Sequence, residues 1–140
     1  MIDELAIQQN INRYSEGASR SDWDQVITTF MPDGIWEIPV HKVKFHGHAD
    51  IKKGLAHFSA DVDYMLQVNA PAVITITGDT ATARSVIREG GKCKGRNEGL
   101  EVHGLYADKL ARTPDGWKFV HRIFELRGMF TYPLNPPPQG

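Results

Sequence analysis

The spacing of apolar residues changes along the chain, from steps of three and four residues near the start to steps of two later on. Residues 3–18 show the helical spacing and predict an amphipathic helix that buries one stripe. The residues of that stripe are Leu5, Ile7, Ile11, Tyr14 and Ala18. Ser21 followed by Asp24 resembles a capping box, so a second helix is predicted over residues 22–30.

The segment after this second helix is predicted to hold one short strand and one short helix. Pro32-Asp33-Gly34 is a turn signal, and the alternating residues 35–38 predict a strand that ends before Pro39. Beyond Gly47, the apolar residues at positions 51, 55 and 58 share one side of a predicted third helix over residues 49–58.

From Tyr64 onward apolar and polar residues alternate, which is the pattern of half-buried strands. The predicted strands cover residues 72–77, 80–89, 100–112 and 117–127. Short turns at Gly78-Asp79 and at residues 113–116 join them, so neighbouring strands are expected to pair antiparallel. The glycine-rich residues 90–99 are predicted to form a loop, and the proline-rich tail from Tyr132 an extended arm.

The order of the elements predicts the fold class. Helices come first and strands afterwards, which predicts an α+β fold with N-terminal helices packed on a strongly curved, mostly antiparallel sheet. The sequence has neither an internal repeat nor a domain linker, and 140 residues are enough for one core. A single domain over residues 1–128 is therefore expected, followed by a C-terminal arm over residues 129–140.

Composition narrows the classes of function. The 16 Lys and Arg are scattered among 17 Asp and Glu, so nucleic-acid binding is not expected. No apolar run is long enough to span a bilayer, and the acidic start lacks the pattern of a secretory signal, so no membrane partner and a cytoplasmic location are expected. The single cysteine, Cys93, excludes an internal disulfide and is predicted to be exposed in the glycine-rich loop.

Sequence motifs for cofactors are missing. The chain has no G-x-G-x-x-G, P-loop or G-x-S-x-G pattern, which argues against nucleotide cofactors and serine-hydrolase chemistry. His41, His46, His48 and His57 gather around the third helix, but their spacing matches no zinc motif. Neither a metal ion nor a cofactor is therefore expected.

Several short strings, in their order and spacing, resemble the SnoaL-like branch of the nuclear-transport-factor-two-like superfamily. The strings are Ile11-Asn12-Arg13-Tyr14, Asp22-Trp23-Asp24, Phe30-Met31-Pro32-Asp33-Gly34-Ile35-Trp36, Gly47 with Ile51, Ile76-Thr77-Gly78-Asp79-Thr80-Ala81, Gly104-Leu105-Tyr106-Ala107-Asp108-Lys109-Leu110, and Asp115-Gly116-Trp117-Lys118-Phe119 with Arg122. The resemblance implies a cone-shaped α+β barrel whose conical pocket lies between the sheet and the helices. It also implies a small hydrophobic molecule as ligand and a homodimer or homotrimer as assembly.

The resemblance includes one clear departure. The dehydratases and the dehydrochlorinase of this branch work with an Asp-His pair. In this chain the Asp position falls at Ser19 and the His position at Leu66, with Gln67 beside it. Neither serine nor leucine takes up a proton near neutral pH, so the usual dyad mechanism is not expected here.

The resemblance also places polar residues at the pocket. Glu89 is the predicted general base or acid, because a carboxylate that loses hydration has a raised pKa. Tyr14 is predicted to donate a hydrogen bond to an oxygen that gains charge, and Arg122 to pair with Glu89 or bind a substrate carbonyl or carboxylate. The predicted substrate-binding residues are Ser19, Trp36, Leu66, Tyr106, His103 and Phe124.

Three of these residues have structural alternatives. Glu89 and Arg122 can form an ion pair that serves only the fold. Tyr14 can be an ordinary core tyrosine of an amphipathic helix. Strand alternation from Tyr106 points His103 to the opposite face of the sheet, unless a bulge intervenes.

Two functions fit this pattern. The first is a cofactor-independent lyase or isomerase, dehydratase-like in its proton abstraction, that acts on a small hydrophobic, cyclic or aromatic compound. The second is a non-catalytic ligand-binding or assembly subunit of the same fold, which the loss of both dyad residues favours. The polar residues predicted for the pocket favour the first.

Overall fold

The computed structural model describes residues 2–135, which form three α-helices, two short 3-10 turns and seven β-strands. The helices are α1 (Ile2–Ser19), α2 (Trp23–Ile27) and α3 (His48–Phe58). The strands are β1 (Phe30–Ile38), β2 (Val43–His46), β3 (Val62–Asn69), β4 (Val73–Thr77), β5 (Thr80–Cys93), β6 (Glu98–Thr113) and β7 (Gly116–Pro133). The 3-10 turns cover Pro39–His41 and Ser59–Asp61.

The strands form one mixed sheet in the order β2-β1-β7-β6-β5-β3, and β4 also pairs with β5. All neighbouring pairs are antiparallel except β1 and β7, which run parallel. The predicted α+β fold, with helices packed on a curved and mostly antiparallel sheet, is confirmed. The predicted hairpin at Gly78-Asp79 is confirmed as well, since Thr77 pairs with Thr80.

Helix α1 covers the concave face of the sheet with its apolar stripe. Ile7, Ile11, Tyr14 and Ala18 are buried, as the helical spacing predicts. Leu5 is 61% exposed, so its predicted place in the stripe is wrong and the buried stripe begins at Ile7. At its first turn, Asp3 accepts hydrogen bonds from Arg112 Nη1 at 2.7 Å and from Trp117 Nε1 at 3.2 Å. These contacts tie the start of α1 to the two strands that meet at the β6–β7 turn.

Helix α2 is shorter than predicted, because it ends at Ile27 instead of continuing to Phe30. The hydroxyl groups of Thr28 and Thr29 donate to the carbonyl oxygens of Gln25 and Val26, both at 2.6 Å, and the chain turns there. Strand β1 then begins at Phe30, so the predicted turn at residues 32–34 lies inside a strand. Its pairing with β7 is interrupted between Phe30 and Ile35, which accommodates the turn residues as an irregularity.

The glycine-rich segment is mostly strand, in contrast to the predicted loop over residues 90–99. Strand β5 continues to Cys93 and β6 begins at Glu98, so that only residues 94–97 turn. Gly91 allows a close approach of β3, because a Cβ atom there would lie 2.1 Å from the carbonyl oxygen of Tyr64. Cys93 is consequently buried, and its predicted exposure is wrong.

The final strand extends further than predicted. Tyr132 pairs with Gly99 and Pro133 with Glu98, so the predicted arm from residue 129 begins as part of the sheet. Proline is tolerated at Pro133 because it is the last residue of the strand. Leu134 N donates to Asn97 O at 3.1 Å, and the remaining tail, residues 136–140, lies outside the described residues.

Two bulges in β7 bend the sheet around the helices. The pairing of β7 with β6 skips Val120 and Arg127, each an extra residue on β7. Each bulge shifts the inward-facing positions by one residue. The inward-facing residues are Trp117 and Phe119 before the first bulge, Arg122 and Phe124 between the bulges, and Met129 and Thr131 after the second.

Candidate functional site

A cavity of about 540 Å³ lies between the concave face of the sheet and the three helices. Its walls are mainly apolar, with aromatic side chains from β1, α3 and β7, and this is the usual character of a small-molecule pocket. The largest apolar residues on the walls are Trp36, Leu55, Phe58, Val102, Phe124 and Leu126. Of the polar side chains on the walls, those of Tyr14, Gln67, Glu89 and Tyr106 are buried or half-buried and are the candidates for chemistry. Most of the others, including His41, Asp61, Asp63 and Arg96, are exposed to solvent.

Tyr14 of α1 and Tyr106 of β6 form a hydroxyl pair at the cavity. Tyr106 Oη donates to Tyr14 Oη at 3.4 Å, and the two rings meet edge to face with centroids 5.9 Å apart. Burial raises the pKa of both hydroxyl groups, and for Tyr106 the rise is large. Both tyrosines therefore stay protonated at neutral pH and can donate hydrogen bonds.

The guanidinium of Arg122 lies behind the two tyrosines and not in the cavity. Arg122 is 0% exposed, and its Cζ lies 3.6 Å from the ring centroid of Tyr106 and 4.2 Å from that of Tyr14. Nη2 donates to Asn69 Oδ1 at 3.3 Å. The predicted contact between Arg122 and a substrate is therefore wrong, because two aromatic rings separate them. Arg122 is a positioning residue for the tyrosine pair.

The ion-pair partner of Arg122 is Asp108 of β6, not Glu89 as predicted. Arg122 Nε lies 3.2 Å from Asp108 Oδ1, and both side chains are fully buried. Burial raises the pKa of Asp108 from 3.8 to about 6, although the charge of Arg122 acts in the opposite direction. The positive charge of Arg122 also opposes the rise in the pKa of Tyr14 and Tyr106. It therefore stabilises negative charge that develops on or beside these hydroxyl groups.

Glu89 of β5 is the acidic residue that the cavity shares with the tyrosine pair. Its Oε1 accepts a hydrogen bond of 2.6 Å from Gln67 Nε2. Burial raises the pKa of Glu89, while this hydrogen bond and the charge of Arg122 oppose the rise. A carboxylate with a raised pKa is a stronger base than one in water, so Glu89 is suited to accept a proton from a bound molecule.

Ser19, the residue predicted at the Asp position of the dyad, makes structural contacts with α1 and with Gln67 of β3. Ser19 Oγ accepts from Gln67 N at 2.9 Å and donates to Ser15 O at 2.8 Å, so the hydroxyl serves the backbone of α1 and β3. Leu66 is 54% exposed on the outer face of the sheet, and its predicted contact with substrate is wrong. Because strand residues alternate, the inward position belongs to Gln67.

The other predicted substrate-binding residues divide between the two faces of the sheet. Trp36, Tyr106 and Phe124 lie on the cavity wall. His103 lies on the outer face, where its ring packs edge to face on Phe130 with centroids 5.2 Å apart. The bulge beside His103 is on β7, so it leaves the alternation of β6 unchanged and His103 outside the cavity.

Three site residues were missed by the sequence analysis. Asp108 shares the inward parity of Tyr106, and this signal was available from strand alternation alone. Gln67 is the inward neighbour of Leu66, and the resemblance places the His position at Leu66, one residue away from it. Cys93 lines the cavity, which depended on the unforeseen continuation of β5.

Neither the histidine cluster nor any other part of residues 2–135 brings together three His, Cys, Asp or Glu side chains that could hold a metal ion. His48 Nε2 instead lies 2.9 Å from the carbonyl oxygen of Phe30 and joins α3 to β1. Within the same described residues, every helix is too short or too polar to cross a membrane.

Comparisons with known proteins agree with this architecture. The SnoaL-like domain family matches residues 1–123. An uncharacterised protein of Mycobacterium tuberculosis is 25% identical over 122 residues, which cover 86% of this chain and 83% of the relative.

Two solved structures from Novosphingobium aromaticivorans are also similar. One, provisionally assigned as an aromatic ring hydroxylase, is 25% identical with a TM-score of 0.83, and the match covers 93% of this chain and 93% of the chain in that structure. The other, provisionally assigned as a scytalone dehydratase, is 19% identical with a TM-score of 0.84, and the match covers 99% of this chain and 95% of the chain in that structure. Together with the family match, which spans most of the sequence, these likenesses lead to one conclusion: the chain belongs to the SnoaL-like domain family.

Proposed function

We propose that this protein is a cofactor-independent lyase or isomerase for a small hydrophobic carbonyl compound, cyclic or aromatic in character. One observation carries the proposal: Glu89, whose pKa is raised by burial, and the hydroxyl pair of Tyr14 and Tyr106 line the same apolar cavity. A base and hydrogen-bond donors on one cavity are what proton abstraction next to a carbonyl group requires.

The proposed chemistry begins with a proton transfer. The Glu89 carboxylate takes a proton from the carbon next to the carbonyl group, and the electron pair of that C–H bond moves into the carbonyl oxygen as an enolate. The hydroxyl group of Tyr14 donates a hydrogen bond to this oxygen, and the hydroxyl group of Tyr106 supports it by donating to Tyr14 Oη. Protonated Glu89 then returns the proton to another carbon in an isomerisation. In a dehydration it protonates a departing hydroxide, which leaves as water.

Isotope exchange tests this chemistry without knowledge of the natural substrate. Acetophenone in deuterium oxide exchanges the protons of its methyl group through the enolate, and proton NMR follows the loss of signal. We expect the protein to accelerate this exchange over buffer, and Glu89→Gln to reduce the acceleration by about 100-fold, the low end of the usual range for a general base. The matched control is Glu125→Gln, because Glu125 carries the same group outside the cavity.

A second candidate function has a specific observation in its favour. Ser19 Oγ, at the position predicted for the Asp of the dyad, accepts from the backbone N of Gln67 and donates to the backbone O of Ser15. Structural contacts therefore stand where the catalytic pair is expected. A binding or assembly subunit of this fold would retain acetophenone in the cavity without accelerating exchange. Equal exchange rates for the unmodified protein and Glu89→Gln, with acetophenone bound to both, would select this alternative.

A further inference from the structure

Two buried polar atoms on the walls of the cavity lack a hydrogen-bond partner among residues 2–135. One is the indole Nε1 of Trp36, a donor that lies close enough to the hydroxyl group of Tyr14 to oppose the rise in its pKa but completes no hydrogen bond with it. The other is the amide Oε1 of Gln67, which is an acceptor. Trp36 is 4% exposed, and its ring stacks on Phe45 with centroids 5.6 Å apart and an interplanar angle of 12°. A buried polar atom without a partner is costly, and natural proteins seldom keep one without a reason.

The two atoms belong to strands that are far apart in the sheet. Trp36 is on β1 and Gln67 on β3, and three strands, β7, β6 and β5, separate β1 from β3 in the strand order. Neighbouring strands lie about 4.8 Å apart, so the four spacings from β1 to β3 place the two backbones on different walls of the cavity. One ligand that satisfies both atoms must carry its polar groups at separate ends of its skeleton.

The rest of each side chain is already fixed. The stacking on Phe45 holds the indole of Trp36, and the bond from Gln67 Nε2 to Glu89 Oε1 at 2.6 Å holds the amide of Gln67. With its NH₂ group turned towards Glu89, the amide of Gln67 offers the cavity only its oxygen. The two walls therefore present a fixed donor and a fixed acceptor.

From this arrangement we infer that Trp36 and Gln67 are specificity-determining residues, which select a ligand with a hydrogen-bond acceptor at one end and a donor at the other. The acceptor, a carbonyl oxygen in the proposed reaction, binds Trp36 Nε1, and a hydroxyl group at the far end of the molecule donates to Gln67 Oε1. A hydroxylated cyclic or aromatic ketone has this pattern. The inference rests on the proposed function, since it concerns the ligand of the same cavity.

Four matched probes separate the two contacts. Ethylbenzene has neither polar group, acetophenone has the acceptor, 4-ethylphenol has the hydroxyl group, and 4-hydroxyacetophenone has both. We expect 4-hydroxyacetophenone to bind most tightly, with a gain of about 3- to 10-fold for each polar group, the usual worth of one hydrogen bond. Trp36→Phe should remove the gain from the carbonyl group only, and Gln67→Met the gain from the hydroxyl group only.

NMR of the native protein gives a readout that does not depend on a variant. The indole proton of Trp36 should move downfield when acetophenone binds, because it acquires an acceptor, and should stay in place with ethylbenzene. The indole of Trp117 is the internal control, since it already donates to Asp3 Oδ1 at 3.2 Å outside the cavity. The substitution Trp36→Phe identifies the Trp36 resonance by its disappearance.

The outcomes are distinct from those of the proposed function. An unmoved Trp36 resonance on acetophenone binding would overturn the inference, as would a hydroxyl gain that survives Gln67→Met. Both readouts are equilibrium binding, so they hold or fail whether or not Glu89→Gln changes the exchange rate. A loss of affinity for all four probes by the same factor would also overturn it, because it would mean that the substitutions only change the shape of the cavity.

Discussion

Replacement of Arg122 by methionine tests whether the buried guanidinium is there to balance Asp108. Within residues 2–135, Asp108 is the one carboxylate in an ion pair with Arg122, and both side chains are fully buried. Methionine preserves much of the apolar length of the side chain and removes the charge. Arg122→Met therefore leaves the carboxyl group of Asp108 in a buried site without a cation nearby.

The structure sets the pH dependence of the cost. Burial raises the pKa of Asp108 from 3.8 to about 6 in the folded protein. Well below pH 3.8 the carboxyl group of Asp108 is protonated in both the folded and the unfolded protein, and its burial costs no free energy of ionisation. As the pH rises from 3.8 to 6 the free energy of unfolding falls, and the loss levels off at about 3 kcal/mol. This value is 1.36 kcal/mol for each of the roughly 2.2 pH units between the two pKa values.

Without Arg122 the pKa of Asp108 rises further, so the cost does not level off at pH 6. Above pH 6 the difference in unfolding free energy between wild type and Arg122→Met should grow with pH, by at most about 1.4 kcal/mol per pH unit, until the pH passes the raised pKa of Asp108. At pH 5 Asp108 is mostly protonated in both proteins. The difference there should reflect the lost hydrogen bond to Asn69 and the lost contacts between the guanidinium and the rings of Tyr14, Tyr106 and Phe119.

Urea unfolding followed by circular dichroism at pH 5, 6, 7 and 8 measures these differences. The matched control is Arg122→Met combined with Asp108→Asn, compared with Asp108→Asn alone. This comparison should depend on pH much less, because the effect of Arg122 on the pKa of Glu89 remains but its effect on Asp108 is gone. Asn69→Ala removes one hydrogen bond of Arg122 and should cost about 1 kcal/mol at every pH. If Arg122→Met costs the same at pH 5 and pH 8, the guanidinium serves packing, and the electrostatic reasoning is refuted.

Three further predictions concern the walls of the cavity and the start of α1. Ser19→Ala should destabilise the fold by about 1 kcal/mol in urea unfolding, because Gln67 N loses its acceptor at 2.9 Å; an unchanged midpoint would contradict this. Gly104→Ala should cost about 1–3 kcal/mol. It should also weaken acetophenone binding in an NMR titration, since the new Cβ would lie 2.7 Å from Phe124 Cζ and displace that ring; unchanged affinity would contradict it. Hydrogen bonds from its neighbours lower the pKa of Asp3 from 3.8 to about 2, so its stabilising effect is present above pH 3.8 and is lost as the pH falls through 2. Asp3→Asn should therefore destabilise the protein at pH 6 and leave it unchanged near pH 2 in thermal unfolding, and equal effects at both would contradict the assignment.

The tyrosine pair shows why the absent dyad does not by itself empty the cavity of chemistry. Tyr14 and Tyr106 keep their hydroxyl groups in contact at 3.4 Å, with the guanidinium of Arg122 behind both rings. Hydrogen-bond donors arranged in advance and backed by a positive charge stabilise a developing negative charge without further reorganisation. Glu89 then stands as the candidate base, on β5 and not on the elements that carry the usual pair.

The candidate site was predictable where strand or helix periodicity alone decides the direction of a side chain. Tyr14 belongs to the buried stripe of α1, and Tyr106 and Glu89 share the inward parity of β6 and β5. His103 follows the same rule, since alternation from Tyr106 directs it outward. Leu66 shows the limit of this kind of prediction. It was predicted to face the cavity, but Gln67 does so instead, because a register error of one residue moves a side chain to the other face of the sheet.

By itself, then, the sequence determined the helical stripe of α1, the hairpins at the glycine turns and the α+β class, because each depends on residues close together in the chain. Only the tertiary structure decided that Arg122 pairs with Asp108 behind the tyrosines, and that Trp36 and Gln67 line one cavity from strands that are far apart in the sheet. Bulges at Val120 and Arg127 change the inward parity of β7, and local patterns do not reveal where a bulge will form. How deeply a side chain is buried beneath the curved sheet depends on contacts among strands that are far apart in the sequence. No single segment of the sequence therefore determines it.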